Sequence, residues 1–141
     1  MKNTFYRLIL LLFVLGCSST GYEVVVESYE DGNPKLVRYY RDENRQDLLR
    51  EIQYYEDGKV YIEGQYKDNE REGKWTAWYR NGNIWSTGEY QKGMENGLKT
   101  VYHENGNKYY EGHVVDDERV GEWKFWDDEG KLLKTINYDT P

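Results

Sequence analysis

The stretch from Gly73 to Gly97, GKWTAWYRNGNIWSTGEYQKGMENG, decides the fold. It reads as one β-hairpin, in which Trp75 to Arg80 runs out, Asn81-Gly82 turns, and Ile84 to Gln91 returns. Asn-Gly is a strong hairpin signal because a two-residue turn asks for positive φ at both positions. Working outward, the same dipeptide position recurs as Asp31-Gly32, Asp57-Gly58, Asn105-Gly106 and Glu129-Gly130. The last four turn glycines are 24 residues apart and the first interval is 26. Gln46-Asp47 accounts for the difference as a two-residue insertion, read as a longer loop between hairpins. Glu129 suits a positive φ poorly, so the last turn is expected to be looser.

Two further glycine columns keep the same step: Gly64, Gly88 and Gly112, then Gly73, Gly97 and Gly121, where each new hairpin starts. One period held by three columns marks a tandem repeat. The expected fold is all-β: an elongated single antiparallel sheet of about five hairpins, placed after an N-terminal signal helix. The expected division is 1–16 as signal peptide, 17–22 as tether, and 23–141 as the repeat domain.

Two-residue turns fix the pairing of the strands. They set Trp78 opposite Trp85, Trp75 opposite Gly88, Tyr54 opposite Tyr61, Tyr102 opposite Tyr109 and Trp126 opposite Leu133. Aromatic cross-strand pairs of this kind add roughly 0.2–1 kcal/mol each, and Trp75 is expected to cover the bare backbone of Gly88. Alternation then gives two faces. Trp75, Tyr79, Ile84 and Tyr90, with Val60, Ile62, Tyr66, Val101, Tyr110, Val114, Trp123, Phe125, Leu132, Ile136 and Tyr138, form the apolar one. The other carries an aromatic stripe of Tyr54, Tyr61, Trp78, Trp85, Tyr102, Tyr109 and Trp126 among threonines and charges. This stripe is the candidate partner-binding site; the same rings also serve to brace the sheet.

Composition limits what such a surface binds. The chain of 141 residues is 38% apolar with a mean hydropathy of −1.02, yet 16% is aromatic, including 15 Tyr and 5 Trp. Disordered chains are poor in aromatics, so a thin ring-rich core on an open sheet is expected. Beyond residue 16 there are 17 basic and 26 acidic residues, a net of −9. That balance repels a phosphate backbone and excludes nucleic acid as a partner. It equally disfavours an anionic lipid surface held by charge.

Residues 1–16 hold Lys2, Arg7 and the apolar run Leu8 to Leu15, the layout of a secretory signal and too short to span a bilayer. The run ends in Val14-Leu15-Gly16-Cys17, and Cys17 is the chain's single cysteine. No internal disulfide is therefore possible. These residues resemble a bacterial lipobox, with Val14 in place of the usual leucine. The resemblance implies cleavage before Cys17 and its acylation, palmitate included. Acyl chains contribute about 0.8 kcal/mol per buried methylene. Ser18 after the cysteine resembles outer-membrane routing in preference to inner-membrane retention. The expected location is the bacterial cell envelope, with the folded part under about 20 Å from its membrane.

The hairpin residues Gly73, Trp75, Gly82, Gly88 and Tyr90, then Gly121, Trp123 and Gly130, resemble MORN repeats in their bacterial variant. The resemblance covers about residues 50 to 138; Lys99, Val114 and Glu51 depart from the pattern. It implies an elongated hairpin array used for protein contacts or, in eukaryotic relatives, lipid contacts; some bacterial members carry an antitoxin label. The sequence shows no nucleophile elbow, phosphate loop or metal-ligand spacing. His103 and His113 fall on opposite faces, and the acidic groups Glu30-Asp31, Asp116-Asp117-Glu118 and Asp127-Asp128-Glu129 fall at turns. No catalytic residue, cofactor or metal is expected. The reading is a non-enzymatic protein-binding or scaffold module, with glycan stacking on the stripe as the alternative and self-association through unpaired end strands as a further possibility.

Overall fold

The structure is a computed structural model and describes residues 21–139. The signal helix, the signal peptide and Cys17 lie outside the described residues. Eleven strands form one antiparallel sheet: β1 Tyr22–Ser28, β2 Pro34–Tyr40, β3 Leu48–Tyr54, β4 Val60–Lys67, β5 Glu70–Trp78, β6 Ile84–Gln91, β7 Met94–Glu95, β8 Gly97–Tyr102, β9 Lys108–Val115, β10 Glu118–Trp126 and β11 Leu132–Asn137. They follow one another in chain order across the sheet, with the short β7 paired to β6. No helix occurs among the described residues. β1 and β11 are the two ends, so the sheet is open.

The five tips share one geometry, and it differs from the expected one. At the central tip Gly82 N–H donates to Tyr79 O at 2.9 Å and Tyr79 N–H donates to Asn83 O at 2.9 Å. Three residues, Arg80 to Gly82, therefore make the loop, and of them only Gly82 has positive φ, at 91°. This is a tight turn closed by a left-handed glycine, the three-residue alternative to a two-residue connection. Asn81 is selected for another reason: its Oδ1 accepts the Asn83 amide at 2.9 Å, which locks the turn from within. Glu129 needs no left-handed backbone in such a loop. Its tip closes like the others, with Asp127 N–H to Lys131 O at 3.0 Å and Gly130 N–H to Asp127 O at 3.1 Å, so the looser turn is not found.

The two-residue turns sit at the opposite end of the strands. Asp68-Asn69, Lys92-Gly93 and Asp116-Asp117 all have positive φ at both positions. They join Lys67 to Glu70, Gln91 to Met94 and Val115 to Glu118. The insertion forms the loop between β2 and β3, where Asp42 Oδ2 accepts the Asp47 amide at 2.7 Å.

The longer tip changes the register near it. Inside the hairpin Trp75 pairs with Gly88, Thr76 with Thr87 and Ala77 with Ser86, as the sequence implies. Then Trp78 pairs with Ile84, and Trp85 is an extra, unpaired residue. The same slip pairs Tyr54 with Val60, Tyr102 with Lys108 and Trp126 with Leu132. A bulge is the compensation: the tip takes one residue more than a two-residue turn, and one strand gives it back.

The core runs chiefly along the face that carries the tryptophans. Trp75 is 3% exposed and Trp123 0%, joined on that face by Ala77, Val101 and Val114. Val37 and Ile52 are buried on the opposite face, where they pair with each other in line with Glu63 and Thr76. Ile84 and Leu132, expected in it, are exposed because the bulge shifts them off the interior register. Each buried tryptophan lies over a glycine of the preceding hairpin. A Cβ on Gly64 would come within 2.1 Å of the Trp75 ring, and one on Gly112 within 2.2 Å of the Trp123 ring. Trp75 therefore covers Gly64 and not Gly88. The indole N–H groups donate to Gln65 O at 3.2 Å and His113 O at 3.1 Å. Arg71 and Arg119 lie over the two rings at 4.1 and 4.4 Å. At the intervening junction the sequence has Lys99 for tryptophan and Glu95 for arginine. Lys99 Nζ contacts Glu95 Oε1 at 2.7 Å, and that carboxylate occupies the space above Gly88. At the first junction Arg38 pairs with the buried Glu51 at 2.8 Å. Ring-on-glycine and ion pair are thus two fillings of one slot.

Candidate functional site at the hairpin tips

The seven sequence-selected aromatics do not form one stripe. The bulge divides them into two rows. Tyr54, Trp78, Tyr102 and Trp126 end the outgoing strands and are half-buried. Their carbonyl oxygens are acceptors in a stitch between successive hairpins. Tyr29 Oη donates to Tyr54 O, Tyr55 Oη to Trp78 O and Tyr79 Oη to Tyr102 O, each at 2.7 Å, and His103 Nε2 meets Trp126 O at 3.1 Å. The sequence holds the donors as a column, Tyr29, Tyr55, Tyr79 and His103, three residues before each turn glycine. That column was the available signal for residues the stripe missed. Burial raises the pKa of Tyr55 and of Tyr79, which keeps both hydroxyls donating.

Tyr61, Trp85 and Tyr109 occupy the bulges and make the second row, continued by Leu133, which stripe reasoning left out. Tyr61 and Trp85 stack with centroids 6.0 Å apart and planes 23° apart. Trp85 also meets Tyr79 at 6.2 Å, Tyr61 meets Tyr55 at 5.1 Å, and Tyr109 meets His103 at 4.8 Å. These contacts put the second row with the stitching column and away from Trp78. Exposure rises along the row, from half-buried Tyr61 through Trp85 at 37% and Tyr109 at 45% to Leu133 at 60%.

The first row lines a repeated recess. An open cleft of about 320 Å³ is bounded by Lys59, Val60, Glu63, Trp78, Tyr79 and Gly82. A second of about 390 Å³ is bounded by Asn33, Pro34, Tyr54, Asp57 and Gly58. Asn33 and Lys59, Pro34 and Val60, Tyr54 and Trp78, and Gly58 and Gly82 are equivalent positions one repeat apart. Each recess therefore lies between two neighbouring tips with an aromatic wall.

Beside the first row run Thr76, Thr87, Thr100, Glu111 and Lys124. Burial works against ionising Glu111, but hydrogen bonds from Lys108 and Thr100 outweigh it and hold its pKa below the usual carboxylate value. His103 is tied into the stitch and His113 is exposed, so the two histidines share no site. No group of three or more His, Cys, Asp or Glu side chains suited to a metal occurs among the described residues.

The pattern of the MORN repeat variant matches residues 49–68, 71–92, 95–116 and 119–140. No curated protein matches the chain at a significant level. Among solved structures the chain is similar to the Glycosylation Associate Protein (Gap123) complex from Streptococcus agalactiae, with TM-score 0.46 and 16% identity over 79% of this chain and 20% of that one. It is also similar to a mutant of S. aureus TarM in complex with Fondaparinux, alpha-GlcNAc-glycerol and UDP, with TM-score 0.36 and 14% identity over 72% of this chain and 21% of that one. The chain spans about a fifth of the length of either, and likeness this loose bears on neither function nor partner. The four family matches, together more than half of the chain, coincide with the hairpins whose junction slots and tip stitch are described above. The chain belongs to the MORN repeat variant family.

Proposed function

We propose that this chain is a non-enzymatic protein-binding or scaffold module, held in the bacterial cell envelope by acylated Cys17. The observation that carries the binding reading is the pair of equivalent recesses walled by Tyr54 and Trp78. Equivalent positions on successive hairpins are about 9.5 Å apart, twice the strand spacing. A protein segment with apolar side chains at that interval fits the array. Aromatic walls of this kind are favoured anchor sites in protein contacts. The anchor reading rests on the signal-like residues 1–16 and the single cysteine that ends them. Ser18, placed directly after the cysteine, favours the outer membrane.

The test places a photo-crosslinking residue at Lys59, on the rim of the Trp78 recess, in the native envelope and identifies the neighbour by mass spectrometry. The expected result is one protein partner whose capture falls at least tenfold in a Tyr54→Ala, Trp78→Ala double variant that keeps its circular dichroism. Unchanged capture removes the recesses from the account. Retention on peptidoglycan or a glycan array, lost in the same variant, replaces the protein reading with the glycan one. For the anchor, labelled palmitate is incorporated in the native chain and not in Cys17→Ala; equal labelling overturns it. A hydrolytic activity found by substrate screening overturns the non-enzymatic assignment.

A further inference from the structure

The repeat fixes how any hairpin receives the next one. At all four junctions the residue four places after a turn glycine pairs with the residue five places before the following turn glycine. The pairs are Leu36 with Gln53, Ile62 with Ala77, Ser86 with Val101, and Tyr110 with Phe125. At three junctions the side chain one place after a turn glycine donates to a carbonyl two places before the next. Lys59 Nζ reaches Arg80 O at 2.7 Å, Asn83 Nδ2 reaches Glu104 O at 2.9 Å, and Asn107 Nδ2 reaches Asp128 O at 2.8 Å.

The two ends of the described sheet are complementary under this rule. β11 carries Lys134 four places after Gly130, and β1 carries Glu27 five places before Gly32. Lys131, like Lys59, follows its turn glycine, and Glu30 precedes Gly32 by two. Lys134 sits over the Phe125 ring at 4.8 Å, and Glu27 is half-exposed beside Lys35. We propose that β11 of one molecule pairs antiparallel with β1 of a second copy, as a fifth junction of the same kind. Lys134 then faces Glu27 of the second copy, and Lys131 donates to its Glu30 carbonyl. Like charge blocks the two competing arrangements, since β11 against β11 brings lysines together and β1 against β1 brings glutamates together. The contact is head-to-tail, so it propagates into a row of molecules unless a rotation closes it. Its stitch is incomplete: the position of Tyr29, Tyr55, Tyr79 and His103 is Asp127 at the last tip, whose side chain is turned back to accept the Lys131 amide at 2.8 Å. The added junction is therefore weaker than the internal ones and reversible.

The test uses the full chain in detergent micelles, with sedimentation velocity over a concentration series and a zero-length carbodiimide crosslink. The expected result is concentration-dependent growth and an amide link between Lys134 and Glu27, which one molecule cannot make because the two strands end opposite edges of the sheet. Lys134→Glu or Glu27→Lys alone weakens association about three- to tenfold, and mixing the two variants restores it. Both variants are checked for unchanged circular dichroism. A monomer at every concentration, an association untouched by either reversal, or crosslinks that join β11 to β11 or β1 to β1 overturns the proposal.

Discussion

Gly64 and Gly112 are the residues with least freedom to change, because each lies against an indole ring with no room for a methyl group. Alanine at either is expected to cost about 1–3 kcal/mol, the usual penalty for overpacking a filled site. Gly88→Ala is expected to cost less, since its neighbour is the end of the Glu95 side chain, 2.3 Å from the added atom and able to swing. Urea unfolding of the three variants tests the order. Arg38→Ala leaves the Glu51 carboxylate buried without its cation, and is expected to destabilise by about 1–3 kcal/mol. Sequence reasoning found the glycine and tryptophan columns but set Trp75 over Gly88, its partner within the hairpin. The ring leans instead onto the preceding hairpin, a choice between two neighbouring glycines that strand alternation does not make. The pH response has a defined sign at Glu111. Its folded pKa is depressed, so its contribution is present above the unfolded value of about 4.5 and is lost as pH falls through the folded one. Glu111→Gln is expected to flatten the acid limb of a stability-against-pH curve.

At the scale of the hairpin, strands, tips and interior register were all legible, because turn glycines and side-chain alternation report them directly. The tip type and the bulge were not. An Asn-Gly dipeptide serves either a two-residue turn or the end of a three-residue one, and the dipeptide alone does not choose between them. The false Trp78–Trp85 pair followed from that one-residue slip, and with it the single stripe. Asp68-Asn69 makes a sharp case of the opposite turns. Asn69→Gly suits a left-handed position, yet it is expected to destabilise by about 1 kcal/mol. The reason is that Asn69 Oδ1 accepts the Leu48 amide at 2.9 Å and its Nδ2 donates to Gln46 O at 2.8 Å. Hydrogen exchange at the Leu48 amide is expected to rise in that variant, and an unchanged rate removes this tie from the account.

Across the whole molecule each strand packs against its neighbours along the ribbon, so stability is shared between adjacent repeats and is least where a neighbour is lacking. Amide protection is expected to be greatest in β5 and β6 and to decline toward β1 and β11, read by native-state hydrogen exchange. Uniform protection from end to end would show a single cooperative block instead. The elongated sheet was legible from the period alone; the complementarity of its two ends was not, because it compares residues separated by most of the chain. The junction slot has a consequence for descent. Since it accepts an indole against glycine or a salt-linked couple, and asks nothing of more distant units, a gene segment encoding one 24-residue unit can be duplicated in place and still translate into a properly seated ribbon. Length is therefore the trait most open to inheritance by copying, and tip chemistry the trait left free to diverge.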